Sequence, residues 1–263
     1  MDDDTLRALC DLNLLESIRF HGRISRAARI EEGGGVLLVA GATEFPVGFS
    51  NAATRVDSAL APAELLERAD AFFGARGRSY TVWIRGDHDA DLAAATREAG
   101  ATELGSTPCM SVGGALGQKT PPPGVEVRVA DTPDAIRGAQ RVNREAYESI
   151  GMPPRETDAL YERPEVWLGA DKLVVVAYAD GEPLATASLL MSPRVGGIYW
   201  VGTRAAARGR GLGELCTRVV TDAAFDRGAQ VATLQASPMG EPIYLRLGYR
   251  EIDRQRWLLR TPG

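Results

Sequence analysis

Between residues 113 and 124 the chain reads Gly113-Gly114-Ala115-Leu116-Gly117-Gln118-Lys119-Thr120-Pro121-Pro122-Pro123-Gly124. Glycine frees the backbone, proline stiffens it, and no apolar period runs through the stretch, so neither a helix nor a strand is expected to cross it. The 263 residues therefore divide into a first domain over 1–113, a linker over 114–124 and a second domain over 125–263. With 44% apolar and 25% charged residues, each part has the composition of a folded domain and enough chain to bury a core of its own. Residues 1–124 carry 12 basic and 17 acidic side chains, and residues 125–263 carry 18 of each. The net charge of −5 thus lies in the first part, and nothing in it resembles the basic footprint of a nucleic-acid binder.

Cys10, Cys109 and Cys216 are isolated from one another, which argues against a disulfide framework and for a reducing compartment. The start Met1-Asp2-Asp3-Asp4 is the reverse of a basic leader, and no apolar run approaches the roughly 18 residues of a membrane span. A cytoplasmic protein without membrane attachment is the expectation. His21 and His88 are the only histidines, too few for a histidine-based zinc site or a Ser-His-Asp triad, so no metal is expected.

The two parts share an order of elements. In the first, Val36–Ala40 and Pro46–Phe49 read as two strands of a hairpin; in the second, Leu173–Ala177 and Pro183–Leu190 do, joined by the tight-turn dipeptide Asp180-Gly181. Pairing these hairpins gives an offset of 137, from Ala40 to Ala177. The helix Ala63–Phe73, the strand Tyr80–Ile84 and Glu98-Ala99-Gly100-Ala101 match Leu212–Phe225, Val231–Gln235 and Arg246-Leu247-Gly248-Tyr249 at an offset of 148, from Gly100 to Gly248. On this alignment the second part holds about 11 extra residues between Ala187 and Arg208, where its special function is expected to lie.

That region runs from a strand, Tyr199-Trp200-Val201-Gly202-Thr203, through Arg208-Gly209-Arg210-Gly211-Leu212-Gly213 into an amphipathic helix with Leu212, Cys216, Val219 and Ala223 on one stripe. Glycines before a helix start let consecutive N–H groups converge on an anion, most often a phosphate. A Walker loop is excluded because no lysine follows, and a dinucleotide fingerprint because Glu214 stands where its last glycine belongs. The remaining pattern, Arg208-x-x-Gly211-x-Gly213 after a strand, resembles the diphosphate loop of the GNAT superfamily of acetyl-CoA-dependent N-acetyltransferases. Val201-Gly202-Thr203 is similar to the strand on which that family lays the pantetheine arm, and Ile243-Tyr244-Leu245-Arg246-Leu247-Gly248-Tyr249 to its late Tyr-x-x-x-Gly-Phe signature. The resemblance covers about residues 172–250; Ala205 replaces the usual proline before the loop.

The resemblance implies a tandem α/β protein of two GNAT-like domains, each a mixed, mainly antiparallel sheet flanked by helices. The second would transfer acetyl from acetyl-CoA directly to an amine. The first, with Leu60–Leu65 at the loop positions and Thr96 at the tyrosine position, would be a degenerate copy without a cofactor site. Tyr244 would protonate the departing thiolate; Val201, Gly202, Thr203, Arg208, Gly209, Arg210, Gly211, Leu212, Gly213 and Ser237 would hold the cofactor, although Ser237 before Pro238 also reads as a turn former. Cys216 reads as core packing. An amine of pKa about 10.4 needs about 4.6 kcal/mol to stay neutral at pH 7; no residue clearly serves as the base, and the nearby carboxylates Glu145, Glu148 and Glu241 each read first as a solvated helix residue. The segment Tyr147–Trp167 is expected to floor the acceptor site for a small-molecule or peptide amine. A non-catalytic acyl-CoA sensor or scaffold, or an acyltransferase of longer chains, is the alternative, and the chain is expected to be a one-chain pseudo-dimer or a homodimer.

Overall fold

Residues 1–46 and 48–262 are described by a computed structural model. In chain order the elements are α1 (Asp3–His21), β1 (Arg29–Gly33), β2 (Val36–Ala40), β3 (Asn51–Arg55), α2 (Pro62–Gly74), β4 (Tyr80–Ile84), α3 (Ala90–Glu98) and β5 (Thr102–Val112). There follow β6 (Val125–Val129), α4 (Pro133–Glu148), α5 (Pro154–Leu160), β7 (Lys172–Ala179), β8 (Glu182–Ser192), β9 (Val195–Thr203), α6 (Leu212–Asp226), β10 (Val231–Gln235), α7 (Glu241–Arg246) and β11 (Arg250–Arg260). The chain divides into a larger unit, Met1–Asn13 with Met110–Ile252, and a smaller one, Leu14–Cys109 with Asp253–Gly263. Each unit is thus assembled from segments distant in sequence.

In the larger unit β6, β7, β8 and β9 are antiparallel neighbours and β10 joins β9 in parallel. Turns explain the meander: Asp180 and Gly181 take φ of 50° and 78°, the left-handed pair that a two-residue hairpin of this twist needs. Helix α4 begins where Thr132 accepts from the Ala135 amide and Pro133 presets the first turn. Helix α6 packs Leu212, Cys216, Val220 and Ala224 onto one sheet face, against Val175, Ala177, Ala187 and Ile198. That stripe is turned slightly from the expected one, leaving Val219 and Ala223 half-buried at its margin. Cys216 is fully buried and its thiol is pushed up to about 12 by desolvation, so it packs rather than reacts.

In the smaller unit β1, β2 and β3 are antiparallel, β4 runs parallel to β3, and residues 256–260 of β11 pair antiparallel with β4. One face carries α2 and α3 over Leu38, Ala53, Val82 and Ile84; the other holds Leu14 and Ile18 of α1 over Leu37, Val39 and Trp83.

The order β1-β2-β3-α2-β4 repeats β7-β8-β9-α6-β10, and this corrects the alignment drawn from sequence. Val36–Ala40 is the middle strand of its meander and corresponds to β8, not to Leu173–Ala177. Its partner is Asn51–Arg55 rather than Pro46–Phe49, a stretch in which Val47 lies outside the described residues. The true first strand, Arg-Ile-Glu-Glu-Gly, is exposed along its length and so carries no apolar alternation. With the strands matched by topology, α2 and α6 start 150 residues apart (Pro62, Leu212) and β4 and β10 start 151 apart (Tyr80, Val231). The first strands start 143 apart (Arg29, Lys172), so the surplus before the helix shrinks from about 11 residues to seven. What differs is the connection into the helix: residues 204–211 in the larger unit, residues 56–61 in the smaller. The match of Gly100 to Gly248 stands, since both follow a helix end with positive φ, 85° and 91°.

Candidate functional site

Strands β9 and β10 are paired only at Val195/Val231, Gly196/Ala232 and Gly197/Thr233. Beyond those three pairs β9 stays with β8 up to Thr203, while β10 ends at Gln235. The cause is a bulge. Ser188 faces Tyr199 and Thr186 faces Gly202, so Trp200 and Val201 together oppose Ala187. A bulge bends its strand and sharpens the twist, which parts β9 from a parallel neighbour. Trp200 pays for the bend with φ of 53°, a conformation costing a bulky residue about 1–3 kcal/mol. Its ring lies 5.1 Å from that of Tyr147 on α4. Just beyond, α4 sits so close to β9 that a Cβ on Gly202 would collide with the Asn143 side-chain oxygen. Val201 and Thr203 are half-buried at the fork, with peptide groups beyond the last β9–β10 pair.

After β9 the chain is clamped before it loops. Arg204 Nε donates to one oxygen of Glu145 at 2.7 Å, and the Ala205 amide donates to the other at 3.0 Å. The hydrogen bond from Arg204 is the main reason the Glu145 carboxyl is held below its ordinary range. Glu145, weighed above as a base, is committed to this clamp. Arg208 reaches the Ser149 hydroxyl, and Arg210 is exposed. Gly209 and Gly211 take φ of 76° and 74°, and Gly211 caps α6 in the left-handed region. Among the described residues the amides of Gly209, Arg210, Gly211, Leu212 and Gly213 donate to no acceptor. Leu212 buries its side chain in the core, so only its amide faces outward. Gly213 lies against the end of β9: a Cβ there would stand 3.0 Å from Thr203 Oγ1. Five unpaired N–H groups at the positive end of a 15-residue helix have the geometry that suits an anion and make this the candidate site.

On the other side of the fork, Ser237 accepts from the Gly240 amide at 3.1 Å and shapes the turn into α7. Its hydroxyl therefore does the local work expected of a turn former. Tyr244 on α7 is 8% exposed, and its ring lies over Gly240, where a Cβ would come within 2.7 Å of the ring edge. Tyr249 packs against it edge-on at 5.9 Å, with its own hydroxyl on Thr221. Burial raises the pKa of Tyr244, and the hydroxyl makes no hydrogen bond among the described residues. Tyr147 on α4 is raised as well, by burial first and then by the neighbouring Tyr244. Tyr161 and Trp167 stack at 4.9 Å behind them, tied to α4 through Asn143. Glu148 is exposed and Glu241 half-exposed at the start of α7.

A fork in the sheet, an anion loop at its end and a phenol across from it define the site. The model of the acetyltransferase (GNAT) domain matches residues 119–238. Glucosamine 6-phosphate N-acetyltransferase 1 of Oryza sativa subsp. japonica is 35% identical over 117 residues, which cover 40% of this chain and 71% of that protein. The chain belongs to the GNAT acetyltransferase family. A solved GCN5-related N-acetyltransferase from Kribbella flavida is similar to this GNAT protein over 96% of both chains, with 26% identity and a TM-score of 0.68. A tandem GNAT protein from the clavulanic acid biosynthesis pathway has the same fold over 91% of this chain and 85% of its own, at 16% identity and a TM-score of 0.65. The tandem α/β arrangement expected from sequence is thus the one observed.

Sequence reasoning missed three features of this GNAT site. The Glu145–Arg204 clamp joins residues 59 apart and leaves no local signal. The bulge at Trp200 has no glycine or proline to mark it. The third is the role of the glycine-rich segment: Leu116 donates its amide to Asp222 at 2.6 Å, and Arg218 donates to the Leu116 carbonyl at 2.7 Å. Residues 116–119 are therefore strapped along α6. Among the described residues no cluster of His, Cys, Asp or Glu could hold a metal, and no helix is long and apolar enough to cross a membrane.

Proposed function

We propose that the larger unit binds acetyl-CoA and transfers its acetyl group directly to an amine, and that the smaller unit binds no cofactor. The observation that carries this reading is the run of unpaired amides from Gly209 to Gly213 at the open end of the β9–β10 fork, with the buried phenol of Tyr244 on the helix that follows β10. Acetyl-CoA supplies an activated acyl group and a thiolate that leaves. The loop amides, with Arg208 and Arg210 beside them, would hold the diphosphate. The peptide groups of Val201, Gly202 and Thr203, which β10 leaves unpaired, would accept the pantetheine arm as an added strand. Tyr244 would give its proton to the thiolate as the carbon–sulfur bond breaks, and the proton that the amine nitrogen releases on forming the amide would restore it by way of solvent; burial keeps the hydroxyl protonated throughout the neutral range, and the phenol bears no competing hydrogen bond among the described residues. Tyr147 and Trp200 would form the apolar wall against which the acceptor amine is placed.

The deciding experiment is calorimetric titration with acetyl-CoA, followed by an amine panel read for acetylated product. The expected result is one molecule bound per chain and loss of detectable binding in Gly211→Glu, which sets a carboxylate where phosphate belongs and strains a residue at φ 74°. Two molecules per chain, or unchanged affinity in that variant, would place the cofactor elsewhere.

A further inference from the structure

Lys119 is the one charged residue in the segment 113–124, and the strap sets its position. Its ammonium lies 3.0 Å from Glu214 Oε1, and a Cβ on Gly211 would be 3.6 Å from it. A cation is thus placed at the rim of the amide loop by a segment that is not part of the loop. Glu214, in the first turn of α6, also binds Arg218 at 3.1 Å. Its carboxyl is raised by burial and lowered more by Lys119 and Arg218, for a net shift downward. A carboxylate there suits the helix start but repels a bound anion. One positive partner, Arg218, remains with Glu214 if the other turns away.

We infer that Lys119 is a ligand of the acyl carrier's diphosphate, exchanging its contact with Glu214 for one with a phosphate oxygen when the site is filled. This rests on the acetyl-CoA reading above. It gives the glycine- and proline-rich segment a purpose: four backbone and side-chain ties along α6 carry a lysine from outside the loop motif to the loop mouth. A lysine acts on phosphate as a compact charge and needs only proximity, which a strap can provide.

The test is the affinity of the full chain for CoA, dephospho-CoA and pantetheine in wild type, Lys119→Gln, Glu214→Gln and the double variant. Lys119→Gln should weaken CoA and dephospho-CoA alike by about tenfold, the effect of one charge-assisted contact, and leave pantetheine unchanged. The same loss should appear when Lys119→Gln is added to Glu214→Gln. A loss that vanishes in the Glu214→Gln background would mean that Lys119 only neutralises that carboxylate, and would overturn the inference. So would CoA affinity within twofold of wild type, or a loss for CoA without one for dephospho-CoA, which would move the contact to the 3′-phosphate. If wild type itself does not bind CoA, the functional reading fails and this inference falls with it; wild-type binding with an unaffected Lys119→Gln removes the inference alone.

Discussion

Both units build a fork between two parallel strands, and an arginine stands at the end of each, with opposite results. In the larger unit Arg204 follows β9 and is drawn sideways to Glu145, leaving the loop amides from Gly209 to Gly213 uncommitted. In the smaller unit Arg55 ends β3 and is 1% exposed. Its guanidinium donates to Asp89 and Asp91 and to the carbonyls of Leu60 and His88. The connection into α2 is two residues shorter than that into α6, and Pro62 at the first helical position has no N–H to offer. A helix start without glycines, with proline at its first position and nearby carbonyls already turned to a buried cation, is a poorer cradle for a phosphate. The same sheet geometry leaves a run of unpaired amides in one unit and holds an internal ion network in the other.

The largest expected effect is on that network. Arg55→Ala would leave Asp89, which is fully buried, with Arg85 as its remaining cation, and removing one partner of a buried ion cluster costs about 3–5 kcal/mol. Chemical denaturation should show a loss of that size, while acetyl-CoA stoichiometry stays at one per chain. A second bound molecule in this variant would break the comparison, because it would mean that the guanidinium alone had kept a competent site closed.

How much of this was legible in the sequence follows from how local each determinant is. Thr132-Pro133 and Asp180-Gly181 fix the start of α4 and the β7–β8 turn through contacts a few residues apart, and Gly209 and Gly211 advertise their φ by having no side chain. The exposed strand β1 gave no alternation, and so the first meander was entered one strand late. Arg55 lay in no element expected from sequence, and its partners are 34 and 36 residues on. The clamp on Arg204 and the strap under Lys119 bridge 59 and about 100 residues and depend on helices packing beside the loop, which a pattern read along the chain does not contain.

Acid offers a second way to separate the units, because both histidines, His21 and His88, belong to the smaller one. His21 is buried, stacks on Phe49 at 4.8 Å and sits 2.7 Å from the Ser17 carbonyl through Nδ1. Desolvation lowers its pKa from 6.5 to about 4, although the contact with Ser17 opposes this. The folded state then binds fewer protons than the unfolded state between about pH 4 and 6.5. The stabilisation is complete above pH 6.5 and falls as pH drops toward 4, by about 3 kcal/mol in all. Stability measured across this window should decline more steeply in wild type than in His21→Phe; equal slopes would show that the imidazole is protonated in the fold.

Tyr244→Phe sharpens the contrast from the side of the larger unit. It removes one hydroxyl and keeps the ring that packs on Gly240 and Tyr249. Turnover should fall by about a hundredfold, near 2.7 kcal/mol, with acetyl-CoA affinity within twofold of wild type. Equal turnover would remove the phenol from the chemistry and turn attention to the neighbouring Tyr147.

The smallest expected effect tests whether the clamp is what keeps the amide loop open. Glu145→Gln retains an acceptor for Arg204 or for the Ala205 amide but lowers the charge that holds both. Arg204 and Glu145 are about one-third exposed, so the pair itself is worth about 1 kcal/mol or less, and stability should change little. Cofactor affinity should nevertheless weaken about threefold to fivefold, because the loop would enter α6 from a looser anchor and its five amides would need ordering on binding. The loss should grow at high salt if Arg204, once released, competes for nearby carboxylates such as Glu182, 3.6 Å from its guanidinium, less well than the phosphate does. Affinity that is indifferent to Glu145→Gln would mean that the left-handed glycines alone shape the loop, and that the difference between the two units lies in their connections rather than in the partner each arginine has found.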